Sequence, residues 1–299
     1  MRDLLRSHPR LSIPPESHFI PRFYEAWGDP RTARQAKALA RRILSLRTVR
    51  RWELELDPED FSSYRSFAGV VERLFGEFAR VDGKPRWGDK TPHYVESLPL
   101  LAELFPGAKF IHIYRDGRDV ARSWTGTTFG PGGLFSAGTK WSRMVRSGRR
   151  DGQTLGKRYT EIRYESLLEE PRETMTGVCA FLAEPFADTV LTRADRTPGY
   201  GGRKPRSSKI DASYRFKWRR EMPRGERAIV ESVAGDLLSE LGYELEGLAR
   251  PIPRSARLCW RALDSVRAGV SRVRGRRLSV FNWALELRAE LLSRLRRLA

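Results

Sequence analysis

The stretch Lys109-Phe110-Ile111-His112-Ile113-Tyr114-Arg115-Asp116-Gly117-Arg118-Asp119-Val120-Ala121-Arg122-Ser123-Trp124 decides how this chain reads. Lys109–Tyr114 is apolar and β-branched enough to predict a buried strand. Asp116 and Asp119 then lead a helix through Trp124. In parallel α/β sheets, ligands sit at the carboxyl ends of strands, and the free N–H groups of a helix start favour anions. Arg115, at the strand end, offers a bidentate fork to a phosphate. Ser123 falls two turns later, on the face of Asp116 and Asp119. The same residues also read as a surface turn with solvated charges.

Outward from this corner, strands and helices alternate. Upstream, Pro85–Lys90 is a short extended run, and Thr91–Pro92 caps a helix with Val95, Leu98, Leu101, Ala102, Leu104 and Phe105 on its apolar face. Downstream come a Gly-rich loop at Gly126–Gly138, a helix over 140–148, a strand at Arg158–Tyr164 and a helix over 172–183. That order predicts a parallel sheet flanked by helices. Before residue 80 the patterns are helical, with one helix opened by Asp29–Pro30 and one capped by Asp60. Residues 196–215 read as a loop and 224–241 as a helix.

The chain has 299 residues, 56 Lys+Arg against 37 Asp+Glu, a formal charge of +19 and 40% apolar content. This composition excludes a disordered, collagen-like or disulfide-scaffold class. Cys179 and Cys259 lie in apolar surroundings, without metal-ligand spacing. No apolar run reaches the ~18–20 residues that span a bilayer, and the start MRDLLRSHPR lacks the apolar core of a signal peptide. A cytoplasmic location follows as the default expectation, with membrane-peripheral attachment as a variant of it. The charge is uneven. Residues 250–299 hold 13 Arg against Asp264, Glu286 and Glu290, a net of +10, and residues 1–249 hold the other +9. The prolines of 250–254 mark the boundary, so two regions are expected, 1–249 and 250–299.

The segment IleTyrArgAspGlyArgAspValAlaArgSerTrp at 113–124 resembles the 3′-phosphate-binding motif of sulfotransferases that use 3′-phosphoadenosine 5′-phosphosulfate (PAPS). Further blocks resemble that family in order: TrpGlyAspLysThrPro at 87–92, LeuPheProGlyAlaLysPhe at 104–110, ArgTyrGluSerLeu at 163–167, PheLeuAlaGluProPhe at 181–186, and IleAspAlaSer at 210–213 running to LysTrpArg at 217–219. SerHisProArg at 7–10 with ProProGluSerHisPheIleProArg at 14–22 resembles the segment carrying the catalytic Glu of the tyrosylprotein sulfotransferase branch. The resemblance covers about residues 1–245.

It implies an α/β, P-loop-NTPase-like fold and sulfuryl transfer from PAPS to a hydroxyl of a glycan, lipid or small metabolite, without a metal. Glu16 is then the base and Lys90 stabilises the leaving 5′-phosphate oxygen. Arg115 and Ser123 hold the 3′-phosphate, Tyr164 contacts the adenine, and Lys217 is a second 3′-phosphate contact. Phe216 stands where the family pattern has Gly, and His18 where the tyrosylprotein branch has Arg. The bland readings are a loop glutamate, an exposed strand-end lysine and a half-buried core tyrosine. A nucleotide kinase would need a Walker lysine, and Gly126–Gly133 has none.

The family also carries a strand and a 5′-phosphosulfate loop, roughly ProArgSerGlyThrThr, just before the helix that here is 2–7. The resemblance therefore implies that the first strand and P-loop are missing, and that PAPS binding and transfer by this polypeptide are impaired. Either the natural start lies upstream, or the protein is a catalytically impaired relative that binds an anionic ligand or a membrane surface. Residues 255–299 show helical apolar spacing (Leu258, Leu263, Val266, Val270, Val273, then Phe281, Leu285, Leu292, Leu295) divided at Gly275, with Arg on the other faces. They read as packed helices with solvated arginines, as an amphipathic surface for anionic lipid, or, least favoured, as a nucleic-acid contact.

Overall fold

The computed structural model describes residues 1–125, 127, 130–192 and 210–275. In chain order the elements are α1 (Arg2–Arg6), β1 (Leu11–Ser12), α2 (Ile20–Trp27), α3 (Ala33–Leu44), α4 (Arg47–Arg50), α5 (Phe67–Val81), β2 (Arg86–Trp87), α6 (Leu98–Leu104), β3 (Phe110–Tyr114), α7 (Gly117–Thr125), α8 (Leu134–Gln153), β4 (Tyr159–Arg163), α9 (Tyr164–Glu169), α10 (Pro171–Leu182), α11 (Trp218–Glu221), α12 (Arg224–Glu240) and α13 (Arg254–Gly275). The described residues divide into two compact units, those within Met1–Ile113 and Gly148–Ala212, and those within Tyr114–Ser147 and from Ser213 to Gly275.

The first unit is built around α5. Its apolar residues recur at helical spacing, and Phe67, Val70, Val71, Leu74, Phe75 and Phe78 are buried. Each such side chain contributes about 1.5–3 kcal/mol by leaving water. Trp52 meets Phe75 edge-on with ring centroids 4.8 Å apart. A second cluster joins Leu4, Leu5 and Leu11 to Ile162, Met175 and Val178. β1 pairs in parallel with β2, Leu11 opposite Arg86 and Ser12 opposite Trp87, and β3 pairs with β4. In the second unit, Trp141 of α8, Trp218 of α11 and Val230, Leu237 and Leu238 of α12 form the core.

The structure corrects several local expectations. Asp29–Pro30 does not open a helix; α3 starts at Ala33 under a Thr32 cap, and the Asp29 carboxylate instead accepts from the Phe67 N–H at 2.8 Å. Asp60 does not cap α5. Ser66 does, and Asp60 completes a capping box with Asp57 around the short turn Pro58–Phe61. The run from Thr91 divides into a 3-10 turn, Pro92–Ser97, and then α6. The helix expected over 140–148 is α8, of 20 residues, so Gly138 is helical rather than part of a loop. A side chain at Gly138 would meet Val233 of α12 at 2.8 Å, which accounts for the glycine. β3 is half-buried along its length rather than buried, because β4 is its partner on one edge in a two-stranded sheet among the described residues. Residues 193–209 of the expected loop and 276–299 of the tail lie outside the described residues.

Candidate active site

Parallel pairing of β1 with β2 makes the segments leaving their carboxyl ends leave together. This brings Glu16 and Lys90 into contact: the Lys90 ammonium donates to Glu16 Oε1. His18 Nε2 lies 3.0 Å from Glu16 Oε2, with His18 held at φ 60°, a left-handed conformation. Burial alone would raise the Glu16 carboxyl, but hydrogen bonds from His18 and Lys90 outweigh it and hold the group down at about 2.

Beneath this trio lies a network that the sequence reading did not single out. Ser17 is buried, and its Oγ donates to Asp89 Oδ2 at 2.5 Å and meets Tyr94 Oη at 2.8 Å. Thr91 Oγ1 donates to Asp89 Oδ1 at 3.2 Å and accepts from the Ser17 N–H at 3.2 Å. Burial pushes Asp89 up to about 6, only partly offset by the hydroxyls of Ser17 and Thr91. Burial, and then the nearby Asp89 charge, also raise Tyr94. The network clamps the two neighbours of Ser17, which are Glu16 and His18. Asp89 and Thr91 flank Lys90 in the quoted motif, but nothing in local spacing says that their side chains converge on Ser17.

In the second unit, the charges of the strand-to-helix corner are not solvated. Asp116 and Arg118 are fully buried and Asp119 is 3% exposed. Arg118 donates to both Asp116 oxygens at 3.0 and 2.8 Å and to Glu231 Oε1 at 2.8 Å, with its guanidinium 3.6 Å over the Trp218 ring. Gly117 is required because a Cβ there would come within 2.6 Å of Trp141. Trp141 in turn donates its indole N–H to the Arg115 carbonyl at 3.1 Å.

This packing leaves Arg115 half-buried at the head of α7. Its Nη2 donates to Asp119 Oδ2 at 2.8 Å and to the Tyr214 carbonyl at 2.7 Å, while Asp119 Oδ1 accepts from the Trp218 N–H at 2.8 Å. Lys217 Nζ sits 4.8 Å over the Tyr214 ring and 3.4 Å from Glu221. Arg115 and Lys217, 102 positions apart, therefore meet on one residue, Tyr214. Phe216 has φ 46°, a left-handed conformation that favours glycine and costs another residue about 1 kcal/mol. The Gly that the family pattern has there suits this turn. Ser123 is exposed, so it shares a helix with buried Asp119 but not its environment. Tyr164 is half-buried as the first residue of α9. Among the described residues, no group of three or more His, Cys, Asp or Glu could hold a metal.

Residues 1–188 match the model of the Sulfotransferase family. Protein-tyrosine sulfotransferase A of Caenorhabditis elegans is 26% identical over 204 residues, 64% of this chain and 48% of that protein. The nodulation protein NoeE of Sinorhizobium fredii is 28% identical over 274 residues, 81% of this chain and 62% of that protein. The chain thus spans about half the length of the curated relatives it matches. Two solved structures share the fold. The sulfotransferase domain of the Synechococcus PCC 7002 olefin synthase has a TM-score of 0.58 at 23% identity, covering 82% of this chain and 90% of that one. The sulfotransferase domain of the curacin biosynthetic pathway has a TM-score of 0.56 at 21% identity, covering 82% and 93%. With its α/β sulfotransferase fold and a family match over well over half its length, the chain belongs to the sulfotransferase family.

Proposed function

We propose that the chain is a sulfotransferase that moves a sulfuryl group from PAPS to an acceptor hydroxyl of a glycan, lipid or small metabolite. The contact of Lys90 with Glu16 carries this reading. Sulfuryl transfer resembles phosphoryl transfer: the acceptor oxygen–sulfur bond forms as the bond from sulfur to the leaving 5′-phosphate oxygen breaks. Glu16 takes the hydroxyl proton and Lys90 meets the charge on the leaving oxygen. A carboxylate held near a pKa of 2 is a weak base. When Lys90 turns to a phosphate oxygen, Glu16 loses a hydrogen bond and a positive neighbour, and its basicity returns as the base is needed.

Arg115, Ser123 and Lys217 take the 3′-phosphate, and Tyr164 stacks on the adenine. The convergence of two cations on Tyr214 supports the phosphate assignment. Residues 1–249 carry this chemistry, and the more basic stretch that follows begins with α13, packed on α8. The free thiols of buried Cys179 and exposed Cys259 fit a reducing, cytoplasmic setting. Among the described residues, no helix is long and apolar enough to cross a membrane. Calorimetry with the desulfated nucleotide PAP tests the reading: the native chain binds, and Arg115→Ala abolishes binding. Equal binding by the two proteins refutes the phosphate site.

A further inference from the structure

α13 is attached to its own unit along one side. The Trp260 ring lies 5.4 Å from that of Phe135, and buried Asp264 accepts from the Ser136 N–H at 3.0 Å, capping the start of α8. The other side presents Leu258, Cys259, Ala262, Leu263 and Val266 to solvent. Their spacing of i, i+1, i+4, i+5 and i+8 places them on one helix face. Leu258 is 68% exposed, Leu263 49% and Val266 64%. Three of the seven exposed large hydrophobics among the described residues therefore share this stripe. Single exposed apolar residues need no explanation, but a contiguous stripe marks an interaction surface.

The charge around the stripe identifies its partner. Residues 250–275, which contain the helix, hold seven Arg against Asp264, a net charge of +6. Asp264 is turned inward on α8, while Arg257 and Arg267 are exposed. Two copies meeting along this stripe would bring like charges together. A nucleic acid would use the arginines and leave the Leu and Val side chains in water. An anionic bilayer satisfies both features, with apolar side chains at the acyl boundary and guanidinium groups at the headgroup phosphates.

We propose that the Leu258–Val266 face of α13 seats on an anionic lipid surface. The proposal is independent of the transferase reading. Full-length protein is floated with vesicles of phosphatidylcholine alone or mixed with phosphatidylserine. The native chain floats with the mixed vesicles and stays behind with the neutral ones. The variant Leu258→Gln/Leu263→Gln/Val266→Gln changes exposed positions, keeps its circular dichroism and melting temperature, and loses at least about tenfold in bound fraction. A bimane label on Cys259 shifts to the blue with mixed vesicles, which reads insertion in the otherwise native chain. Unchanged flotation of the variant, equal recovery with neutral vesicles, or an unshifted label each overturns the proposal. So does a native chain whose self-association, rather than vesicle binding, is abolished by the triple substitution.

Discussion

The Lys90 ammonium sits on the Glu16 carboxylate, closing a contact between residues 74 positions apart. His18 holds the other carboxylate oxygen at 3.0 Å, so Glu16 stays ionised down to a pKa of about 2. Removing Lys90 as a partner therefore raises that pKa toward the ordinary 4.5. Carbon-detected NMR titration of Lys90→Ala would show the shift, and a value still near that of the native chain would contradict the pairing. Glu16→Gln retains PAP binding and loses transfer about 100-fold or more, the range for a positioned base.

The same pair makes a pH statement. The folded-state pKa of Glu16 lies below its unfolded value of 4.5, so its contribution is present above that value and is lost as pH falls through about 2. Asp89 acts in the opposite sense. Its pKa is raised from 3.8 to about 6, so its contribution is full below about pH 4 and lost as pH rises through about 6. Asp89→Asn keeps an acceptor for Ser17 and does not titrate. Between about pH 4 and pH 7 the stability difference moves in favour of the variant by on the order of 1–3 kcal/mol. Denaturant unfolding at the two pH values measures it, and a difference that ignores pH would count against a buried Asp89 carboxyl.

Arg115 and Arg118, three positions apart, respond differently to truncation. Arg118→Ala leaves Asp116 and Glu231 buried without their cation, at a cost of about 3–5 kcal/mol. Arg115→Ala takes one donor from buried Asp119 and leaves it the Trp218 N–H, so it costs less, about 1–3 kcal/mol, and abolishes PAP binding. Thermal melts beside calorimetry separate the two. A similar melting loss for both would mean that Arg115 is another structural cation.

Gly117→Ala drives a methyl group into the Trp141 ring. The variant loses about 1–3 kcal/mol as the ring shifts. Because Trp141 donates to the Arg115 carbonyl, PAP affinity falls as well. Full stability with weakened PAP binding would instead place the glycine in ligand contact.

Much of the fold was legible in local sequence. The apolar spacing of Phe67–Val81 reports a helix with one buried face, and the strand–Arg–Asp–Gly–Arg–Asp run reports a strand-to-helix corner. Helix starts were harder. Asp29 and Asp60 have the chemistry of caps, but their carboxylates serve other N–H groups, at Phe67 and Asp57. A capping residue announces only that it will accept a hydrogen bond, not from which donor.

By itself, the sequence determined where strands meet helices, which helix faces are apolar, and which residues in the motifs carry the charge. Tertiary structure decided which of those charges are buried and on what they rest. Asp116 and Arg118 looked like solvated turn residues until Glu231, 113 positions from Arg118, closed their ion cluster. Asp89 is an ordinary aspartate in sequence and an elevated acid in the fold because burial raises it more than the hydroxyls of Ser17, 72 positions away, and Thr91 lower it. Periodicity reports the direction in which a side chain points. Desolvation and pairing, which set its charge and strength, depend on the element that arrives from elsewhere in the chain to cover it.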